Sequence, residues 1–389
     1  MNTNSSNIKH FEDEELAWHR HVTPITEHYC EKVSQKDFRG KTLACWQHIT
    51  LNTVPMLIAL KQAGADIILG NCNVDSTNEA AADYLRAHGI EVHATKGMSQ
   101  EKYLSNLKTV RDAEADYLCD MGGELISTYL DKTPAVKGAL EATTSGLHQL
   151  EGKDVPFPVF DWNSIPLKDQ LENRFHVGDG VWPVFAHLTT LSLFGRHVMV
   201  LGYGPVGKGV AERARSLGAI VAVFDPDPVR SIEAKHHGCD LMSLENALTW
   251  SDIIVTATGV EGVLSENELI QVQPGTILFN VGHSNREIDV DWLRTHPHQR
   301  MKAHIERFDL AKTHLYLLTQ GSLLNLAAGL GGHGIDLFDH YTAVMLIGIA
   351  WMFENLPGGA EPGLQLYPAH LERKIATLSI QLSQQRGAL

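Results

Sequence analysis

The segment LKDQLENRF, residues 167–175, combines residue types that can move a proton. It places Lys168, Glu172 and Asn173 within six residues, just before a long apolar run. A lysine and a carboxylate can exchange protons with a substrate, and a nearby amide can orient them. The same spacing also fits an exposed helix face, where a Lys–Glu pair at i,i+4 stabilises the helix by only about 0.3 kcal/mol. Spacing alone leaves both interpretations open.

A glycine-rich segment further along the chain has the spacing of a dinucleotide-binding loop. Gly202, Gly204 and Gly207 lie in GYGPVG, between the apolar segment HVMVL and the helical segment KGVAERARSLGA. Such glycines permit a tight turn and let the backbone approach a pyrophosphate at the helix N-terminus. Asp225 ends the following apolar segment, where a carboxylate accepts hydrogen bonds from an adenosine ribose and repels a 2′-phosphate. The pattern predicts NAD as cofactor, rather than a glycine-rich turn without a ligand.

Two later apolar segments, ending in TATG and NVGH, also stop where open parallel sheets bind ligands. His283 in the second of these is a candidate active-site residue, although a capping or core histidine is the alternative. The predicted cofactor contacts from this part of the chain are Gly202, Gly204, Pro205, Val206, Gly207, Asp225, Arg230, Thr256, Thr258, Gly259, Val281 and Gly282.

The elements that must position these residues alternate between short strands and helices from about residue 40 onward. This alternation predicts an α/β fold with a doubly wound Rossmann NAD domain and a substrate domain built on a parallel sheet. The predicted boundaries are 1–182 for the substrate domain and 183–345 for the NAD domain. Residues 346–389 are predicted to form C-terminal helices that complete the substrate domain.

Composition excludes several classes of protein. A formal net charge of -14 argues against nucleic acid and anionic membrane surfaces as partners. The sequence contains no run of about 18 apolar residues that would predict a membrane span, and it shows no secretory signal. Its five cysteines lack CxxC spacing, which argues against disulfides and a zinc site, so no metal is predicted. A cytoplasmic location fits these features.

Several motifs together resemble the S-adenosylhomocysteine hydrolase family over nearly the whole chain. They are CWQHIT, NCNVDSTNEAAA, DMGGEL, EATTSGLHQL, GYGPVGKG, NVGHSNREIDVDWL and NLAAGLGGHGIDLFDHY, in the family's order. The resemblance implies an enzyme that uses bound NAD to oxidise the 3′-hydroxyl of a nucleoside. The ketone acidifies the C4′ proton, the 5′ substituent leaves, water adds, and the ketone is reduced again. It also implies a homo-oligomer, a dimer or a tetramer.

The resemblance assigns roles to individual residues. Lys168 falls on the lysine that helps remove the 3′-hydroxyl proton, Asn173 on the asparagine that supports it, and Glu172 where the family has aspartate. His48 is a candidate acid or base near the 5′ end, with a core histidine as the alternative. The remaining implied site residues are Asp120 and His283 in catalysis, Thr50, Asn52, Thr143 and His333 with the substrate, and Thr144, Ser145 and Asn325 with NAD. Helix capping is the alternative for the 143–145 hydroxyls.

The sequence departs from the family pattern at several places. Met121, Ala142 and Asn52 replace carboxylates, Val177 replaces a cysteine, and Val260 replaces an asparagine. GLGGHG has one extra residue and no proline after its histidine, and the lysine- and tyrosine-bearing tail of the family is missing. Losing a charged hydrogen-bond partner costs about 2 kcal/mol. An ordinary hydrolase is not expected to tolerate several such losses.

Three other functions therefore stay open. The same chemistry could end at an alkene or an epimer, as in a nucleoside dehydratase, lyase or epimerase. The chain could be a non-catalytic, NAD-bound regulatory protein. A 2-hydroxy-acid dehydrogenase would share the dinucleotide domain, but its arginine and Glu–His pair cannot be placed in this sequence.

Overall fold

A computed structural model describes residues 7–130, 136–282, 286–327 and 334–386. The chain forms two compact units. Unit 1 contains Met1–Lys168 and Ile335–Leu389, and unit 2 contains Asp169–Gly334. The predicted boundaries at 182/183 and 345/346 therefore move to 168/169 and 334/335.

Side-chain packing explains both shifts. At the first boundary, the Trp182 indole Nε1 donates a hydrogen bond of 3.0 Å to the Val210 carbonyl oxygen of the dinucleotide helix, which holds helix Val177–Thr189 in unit 2. At the second boundary, the buried Asp339 carboxylate accepts hydrogen bonds from the backbone N–H groups of Ile25 (2.9 Å) and Thr26 (2.6 Å), both in unit 1.

The strands are numbered in chain order. They are β1 Thr42–Trp46, β2 Asp66–Gly70, β3 Glu91–His93, β4 Tyr117–Asp120, β5 Gly138–Glu141, β6 Pro158–Asp161, β7 His197–Leu201, β8 Ile220–Phe224, β9 Asp240–Leu241, β10 Ile253–Thr256, β11 Thr276–Asn280, β12 His298–Lys302, β13 Ile305–Asp309, β14 His314–Leu318 and β15 Gly363–Leu366.

The α-helices are Ala17–Val22, Pro24–Ser34, Val54–Gln62, Glu79–Ala87, Gln100–Asp112, Glu124–Ser127, Thr144–Leu150, Val177–Thr189, Pro205–Ser216, Pro228–His236, Leu244–Trp250, Glu266–Leu269, Val290–Arg294, Leu324–Ala327, Asp339–Asn355 and Ala369–Arg386. Phe11–Leu16 and Leu167–His176 are π-helical, and Leu51–Thr53, Thr319–Gly321 and Ile335–Phe338 are 3₁₀ turns. Many helices begin at side-chain caps. Asn78, Ser99 and Ser243 each accept a hydrogen bond from a backbone N–H in the first turn, as short polar residues at N-caps do.

Unit 1 is built on a seven-stranded sheet in the order β15-β6-β5-β4-β1-β2-β3, and all of its strand pairs are parallel. The strand order reverses direction between β1 and β4, so this unit is itself doubly wound. Ligands of such sheets bind beyond the carboxyl ends of the strands at this reversal.

Helix Asp339–Asn355 forms part of the core of unit 1. The segment Ile335–Asn355 is long and apolar enough to cross a membrane by length and composition alone. Its apolar side chains, including Met345, Leu346 and Ile349, are fully buried against the sheet and helices of unit 1. Burial within the unit accounts for its composition.

Unit 2 is built on an eight-stranded sheet in the order β12-β13-β14-β11-β10-β7-β8-β9. Strands β9-β8-β7-β10-β11-β14 are parallel and have the order of a dinucleotide-binding fold. The predicted α/β class is confirmed. The antiparallel edge formed by β12 and β13 was not predicted, because β12, HQRMK, is exposed throughout and has no apolar alternation.

Candidate active site

The glycine-rich loop of unit 2 follows β7, at the reversal of strand order between β7 and β10. Gly202 adopts a left-handed φ of +94°, and a Cβ there would lie 2.7 Å from the Ala257 carbonyl oxygen. A Cβ on Gly207 would lie 2.0 Å from the Gly202 carbonyl oxygen. The fold itself therefore requires glycine at both positions.

Gly204 has no such requirement. Its φ of -68° suits any residue, and the nearest atom to a Cβ there is the Arg230 Nη1, 3.9 Å away. Gly204 caps helix Pro205–Ser216, so the missing side chain leaves open space above the positive end of a twelve-residue helix. Pro205 and Val206 form the first turn. This arrangement leaves room for a pyrophosphate against the backbone.

Asp225 follows β8 with its side chain 8% exposed. Its Oδ2 accepts a hydrogen bond of 2.6 Å from the Tyr203 N–H inside the loop, and its Oδ1 accepts one of 2.9 Å from the Asp227 N–H. The Arg230 guanidinium is half exposed and lies 3.8 Å from Oδ2. The carboxylate is thus fixed beside the glycine-rich loop, where an adenosine ribose would need it.

The loop after β10 is held by a buried carboxylate, Glu287, that was not predicted as a site residue from the sequence. Glu287 accepts hydrogen bonds from the Thr258 N–H (2.9 Å), the Thr258 hydroxyl (2.7 Å) and the Gly259 N–H (2.7 Å). Burial raises the pKa of Glu287 above its usual value. A Cβ on Gly282 would lie 1.8 Å from the Glu287 Oε1, so glycine is required there. The signal was in the sequence, since Glu287 belongs to the motif NVGHSNREID.

Thr256 and Val281 take part in the same strand ends. The buried Thr256 hydroxyl donates a hydrogen bond of 3.0 Å to the Asn280 side-chain oxygen, and the Val281 N–H donates one of 2.9 Å to the Thr256 carbonyl. These contacts fix the β10 and β11 ends as one rigid edge. His283 and His333 lie outside the described residues.

Asn325 supplies an independent sign that unit 2 holds a ligand. Its side chain is 4% exposed, and its Oδ1 has no hydrogen-bond partner among the residues that the structure describes. A buried amide oxygen without a donor is unfavourable by about 1–3 kcal/mol, and an amide donor such as a carboxamide would satisfy it. With the space at Gly204 and the carboxylate at Asp225, this oxygen fits NAD.

In unit 1, His48 follows β1 at the carboxyl end of the sheet. The His48 Nδ1 lies 2.7 Å from the Ser76 hydroxyl and 3.6 Å from the Cys72 sulfur. Its side chain is half-buried, which differs from the core-histidine alternative. Burial and nearby carboxylates raise the pKa of the Cys72 thiol well above its usual value, so this cysteine is not a thiolate nucleophile.

Thr50 and Asn52 follow His48 and have structural partners. Thr50 forms a capping box with Thr53 at the short turn Leu51–Thr53. The Asn52 side-chain oxygen lies 2.9 Å from the His19 Nε2. Burial lowers the pKa of His19 to about 4, so that ring is neutral at pH 7. Both residues lie at the predicted edge of the sheet, beyond β1.

Asp120 and Glu141 end adjacent strands and are direct partners in the β4–β5 register. Both side chains are fully buried. Glu141 accepts four hydrogen bonds, from the N–H groups of Gly122, Gly123 and Thr143 and from the Thr143 hydroxyl. Burial nevertheless raises the pKa of Glu141 to about 7.

Asp120 accepts fewer hydrogen bonds than Glu141. Its Oδ2 accepts one hydrogen bond, of 2.8 Å from the Ile126 N–H, and its Oδ1 has no partner among the described residues. Burial, with the Glu141 charge beside it, raises the pKa of Asp120 well above its usual value. Burial therefore favours the protonated, neutral form of both carboxyls as the pH approaches neutrality. Glu141 was not predicted as a site residue, because its role depends on its burial and on backbone donors from a neighbouring loop.

The hydroxyl residues Thr143, Thr144 and Ser145, after β5, lie at the N-terminus of a helix, in agreement with the helix-capping alternative. The Thr143 hydroxyl accepts a hydrogen bond of 2.9 Å from the Gly146 N–H, which makes it the N-cap of helix Thr144–Leu150. The Ser145 hydroxyl donates a hydrogen bond of 3.2 Å to Thr143, and the Asn163 amide donates one of 3.0 Å to Thr144. Roles in binding NAD or substrate would come in addition to these contacts.

Lys168, Glu172 and Asn173 lie on the π-helix Leu167–His176. Their relative exposures are 8%, 6% and 9%, so the exposed Lys–Glu pair is excluded. π-helical turns are rare and are frequently found at functional sites. The second half of this helix packs on the dinucleotide helix in unit 2, where the Arg174 guanidinium pairs with Glu212.

Comparison with known proteins decides the family. Residues 16–144 match the model described as S-adenosyl-L-homocysteine hydrolase, and residues 176–331 match that of its NAD binding domain. The adenosylhomocysteinase of Archaeoglobus fulgidus is 32% identical over 360 residues, which are 89% of this chain and 88% of the relative. The chain belongs to the S-adenosyl-L-homocysteine hydrolase family.

Relatives of two names have similar identity. The adenosylhomocysteinase of Thermotoga maritima is 30% identical over 378 residues, covering 94% of this chain and 93% of the relative. The S-inosyl-L-homocysteine hydrolase of Methanococcus maripaludis is 31% identical over 376 residues, covering 94% and 90%. Family membership confirms the predicted NAD cofactor and supports an enzyme of this family.

Three positions interpreted as departures from the family motifs, Met121, Ala142 and Asn52, lie at the carboxyl edge of the unit 1 sheet. Met121 and Ala142 directly follow β4 and β5, and both are 2% exposed. Asn52, beyond β1, is held by the neutral His19. The edge therefore carries the Asp120–Glu141 pair together with the amide of Asn52 and the apolar side chains of Met121 and Ala142.

Proposed function

We propose that this protein is an NAD-dependent hydrolase of S-nucleosyl-homocysteine thioethers, most simply of S-adenosyl-L-homocysteine to adenosine and homocysteine. The burial of Lys168, Glu172 and Asn173 on one π-helix carries the proposal. A lysine, a carboxylate and an amide removed from solvent together indicate chemistry more than surface solubility.

The proposed mechanism assigns proton movements to the chain's own residues. NAD, when bound, supplies a reversible oxidation of the nucleoside 3′-hydroxyl. Lys168 takes the proton of that hydroxyl, and Asn173 and Glu172 orient the groups around it. Gly204 leaves room for the pyrophosphate, Asp225 would accept the ribose hydroxyls, and Asn325 the carboxamide of the cofactor.

The 3′-ketone acidifies the C4′ proton. His48, the proposed acid or base near this end, takes that proton as the C5′–sulfur bond breaks and homocysteine departs, and it returns the proton to C4′ after water has added. Addition of water at C5′ and return of the 3′-hydroxyl complete a net hydrolysis. The nucleobase is an open choice between adenine and hypoxanthine, because relatives named for both substrates are about equally similar.

The test is thiol release from the purified protein. S-adenosyl-L-homocysteine and S-inosyl-L-homocysteine are supplied in turn, and homocysteine is measured with a thiol reagent and by mass spectrometry. We expect release with one of them and a loss of about 10²-fold or more in Lys168→Ala. Lys153→Ala, at an exposed lysine of the same unit, is the control and should be unchanged. Release unaffected by Lys168→Ala would contradict the assigned role.

The replaced carboxylates at Met121, Ala142 and Asn52 favour a second candidate, a nucleoside dehydratase, lyase or epimerase that starts with the same oxidation. It predicts a product that has lost water or another 5′ group, or changed configuration, without homocysteine release. A non-catalytic NAD-bound regulatory protein predicts no reduction of bound NAD with any nucleoside.

The proposal also includes a homo-oligomer, a dimer or a tetramer, and a cytoplasmic location. Light scattering of the purified protein measures the first. A monomer that hydrolyses the substrate at full rate would contradict the oligomeric part alone.

A further inference from the structure

Tyr341, on helix Asp339–Asn355, lies against two residues of the proposed site. It is the last residue of the motif NLAAGLGGHGIDLFDHY, but the resemblance assigned it no role. Its hydroxyl donates a hydrogen bond of 3.4 Å to the Met121 sulfur. The Lys168 Nζ lies 5.1 Å from the centre of its ring, over the ring face. All three residues belong to unit 1, and Tyr341 is 8% exposed.

Aromatic packing fixes the direction of this side chain. The Trp162 ring, which follows β6, lies 5.0 Å from the Tyr341 ring, and the Phe338 ring lies 5.7 Å away at an interplanar angle of 81°. Such tilted and edge contacts hold a ring in one orientation. The hydroxyl is therefore kept at Met121, beyond the carboxyl end of β4.

Met121 stands where the family motif has a carboxylate that handles a proton. A thioether cannot hold a proton, and it is a weak hydrogen-bond acceptor. A tyrosine hydroxyl can both donate and accept a proton. A phenol from a different element, Tyr341, thus lies at the position of Met121, where the resemblance implies a carboxylate.

We propose that the Tyr341 hydroxyl handles the proton of the C5′ step in this protein, in place of the carboxylate that is missing at Met121. The inference rests on the proposed function. When the C5′–sulfur bond breaks, the phenol gives its proton to the departing sulfur, and an S–H bond forms. When water adds to C5′, the phenolate takes one proton from that water, so protons balance over the cycle.

The chemistry of the two groups fits this role. A phenol ionises with a pKa of about 10 and an alkyl thiol with one of about 8.5, so transfer from the phenol to the thiolate is uphill by only about 1.5 pKa units, a factor of about 30. General acids act best when their acidity is close to that of the group they serve. The cation–π contact also places the Lys168 ammonium over the face of the ring that carries the hydroxyl.

Tyr341→Phe tests the proposal, because it keeps the ring and removes only the hydroxyl. Two partial reactions are measured on the holoenzyme: reduction of bound NAD on adding the nucleoside, and homocysteine release from the thioether. We expect reduction to stay within about threefold of the wild type, while thiol release falls by about 10²-fold or more. Tyr29→Phe, at a half-buried tyrosine outside the site, should change neither.

The possible results separate the two proposals. Thiol release that is unchanged in Tyr341→Phe overturns the role of the hydroxyl. An equal fall in both partial reactions also overturns it, because the residue would then act on the oxidation step or on the fold. If the wild type itself neither reduces NAD nor releases thiol, the proposed function fails first.

Discussion

A Cβ atom on Gly209 would lie 1.5 Å from the Arg174 carbonyl oxygen. The dinucleotide helix therefore contacts the π-helix backbone to backbone, with no side chain between them. Gly178 continues the contact, since a Cβ there would lie 2.4 Å from the Gly209 carbonyl carbon. The segment with Glu172 and Asn173 is thereby fixed to the helix that follows the glycine-rich loop.

Gly209→Ala should destabilise unit 2. Alanine improves helix propensity by about 1 kcal/mol, but overpacking against immobile backbone costs about 1–3 kcal/mol or more, and at 1.5 Å the clash wins. We expect a net loss of about 2 kcal/mol in the free energy of unfolding, measured by urea titration. Ser216→Ala, exposed at the end of the same helix, is the control and should change stability by less than about 0.5 kcal/mol. Equal stability of the two variants would contradict the close contact.

Gly204→Ala should have the opposite profile. The position has an ordinary φ and open space, so the loss of stability should stay below about 1 kcal/mol, the usual effect of alanine at an N-cap. The added methyl group occupies the space left for the pyrophosphate. We expect the dissociation constant for NAD to rise at least tenfold, about 1.4 kcal/mol, in calorimetric titration of the cofactor-free protein. Unchanged NAD affinity would show that this space is not the pyrophosphate site.

The sequence allowed much of the fold to be predicted, because strand and helix periods are local properties. The doubly wound class and the loop between β7 and helix Pro205–Ser216 followed from the order of short apolar runs and glycines. The unit boundaries could not be predicted in the same way, because contacts with residues distant in sequence decide to which unit Trp182 and Asp339 belong. The antiparallel edge β12–β13 gave no signal, since its outer strand is fully exposed.

The site was predictable to the extent that it lies in motifs. Lys168 and Asn173 were found from spacing and resemblance, while their burial required the structure. Glu141, Glu287 and Tyr341 were missed. All three lie within the quoted motifs, but their roles come from what they contact, namely the N–H groups of other loops and the side chain of Met121, and those contacts required the structure.

Glu287→Gln should loosen the loop that follows β10. The carboxylate accepts three hydrogen bonds from Thr258 and Gly259. An amide keeps only one accepting oxygen, and its NH₂ group would face donors that it cannot accept from. Losing a hydrogen bond to a charged group costs about 1.5–3 kcal/mol. We expect weaker NAD binding, by about tenfold, and faster amide hydrogen exchange at Thr258 and Gly259.

Glu266→Gln is the matched control for this change, because it removes the same charge from an exposed position of unit 2. It should leave NAD affinity and exchange rates unchanged. If the two variants behave alike, Glu287 does not position the loop.

The pH dependence of stability should report the buried carboxyl Glu141. Its pKa is raised from 4.5 to about 7 by burial, so the folded chain binds the proton more tightly than the unfolded chain. The contribution of Glu141 to the free energy of unfolding is fully present below about pH 4.5 and is lost as the pH rises to about 7. The shift corresponds to about 3 kcal/mol, and the raised pKa of Asp120 acts in the same direction.

Glu141→Gln removes the titrating group and should flatten this fall in the free energy of unfolding between pH 5 and pH 7, measured by urea titration at several pH values. Glu151→Gln, at an exposed glutamate of the same unit, should keep the wild-type slope. A wild-type stability that rises across this interval, or a slope that Glu141→Gln leaves intact, would mean that the four hydrogen bonds to Glu141 outweigh its burial. The carboxyl would then be ionised at neutral pH.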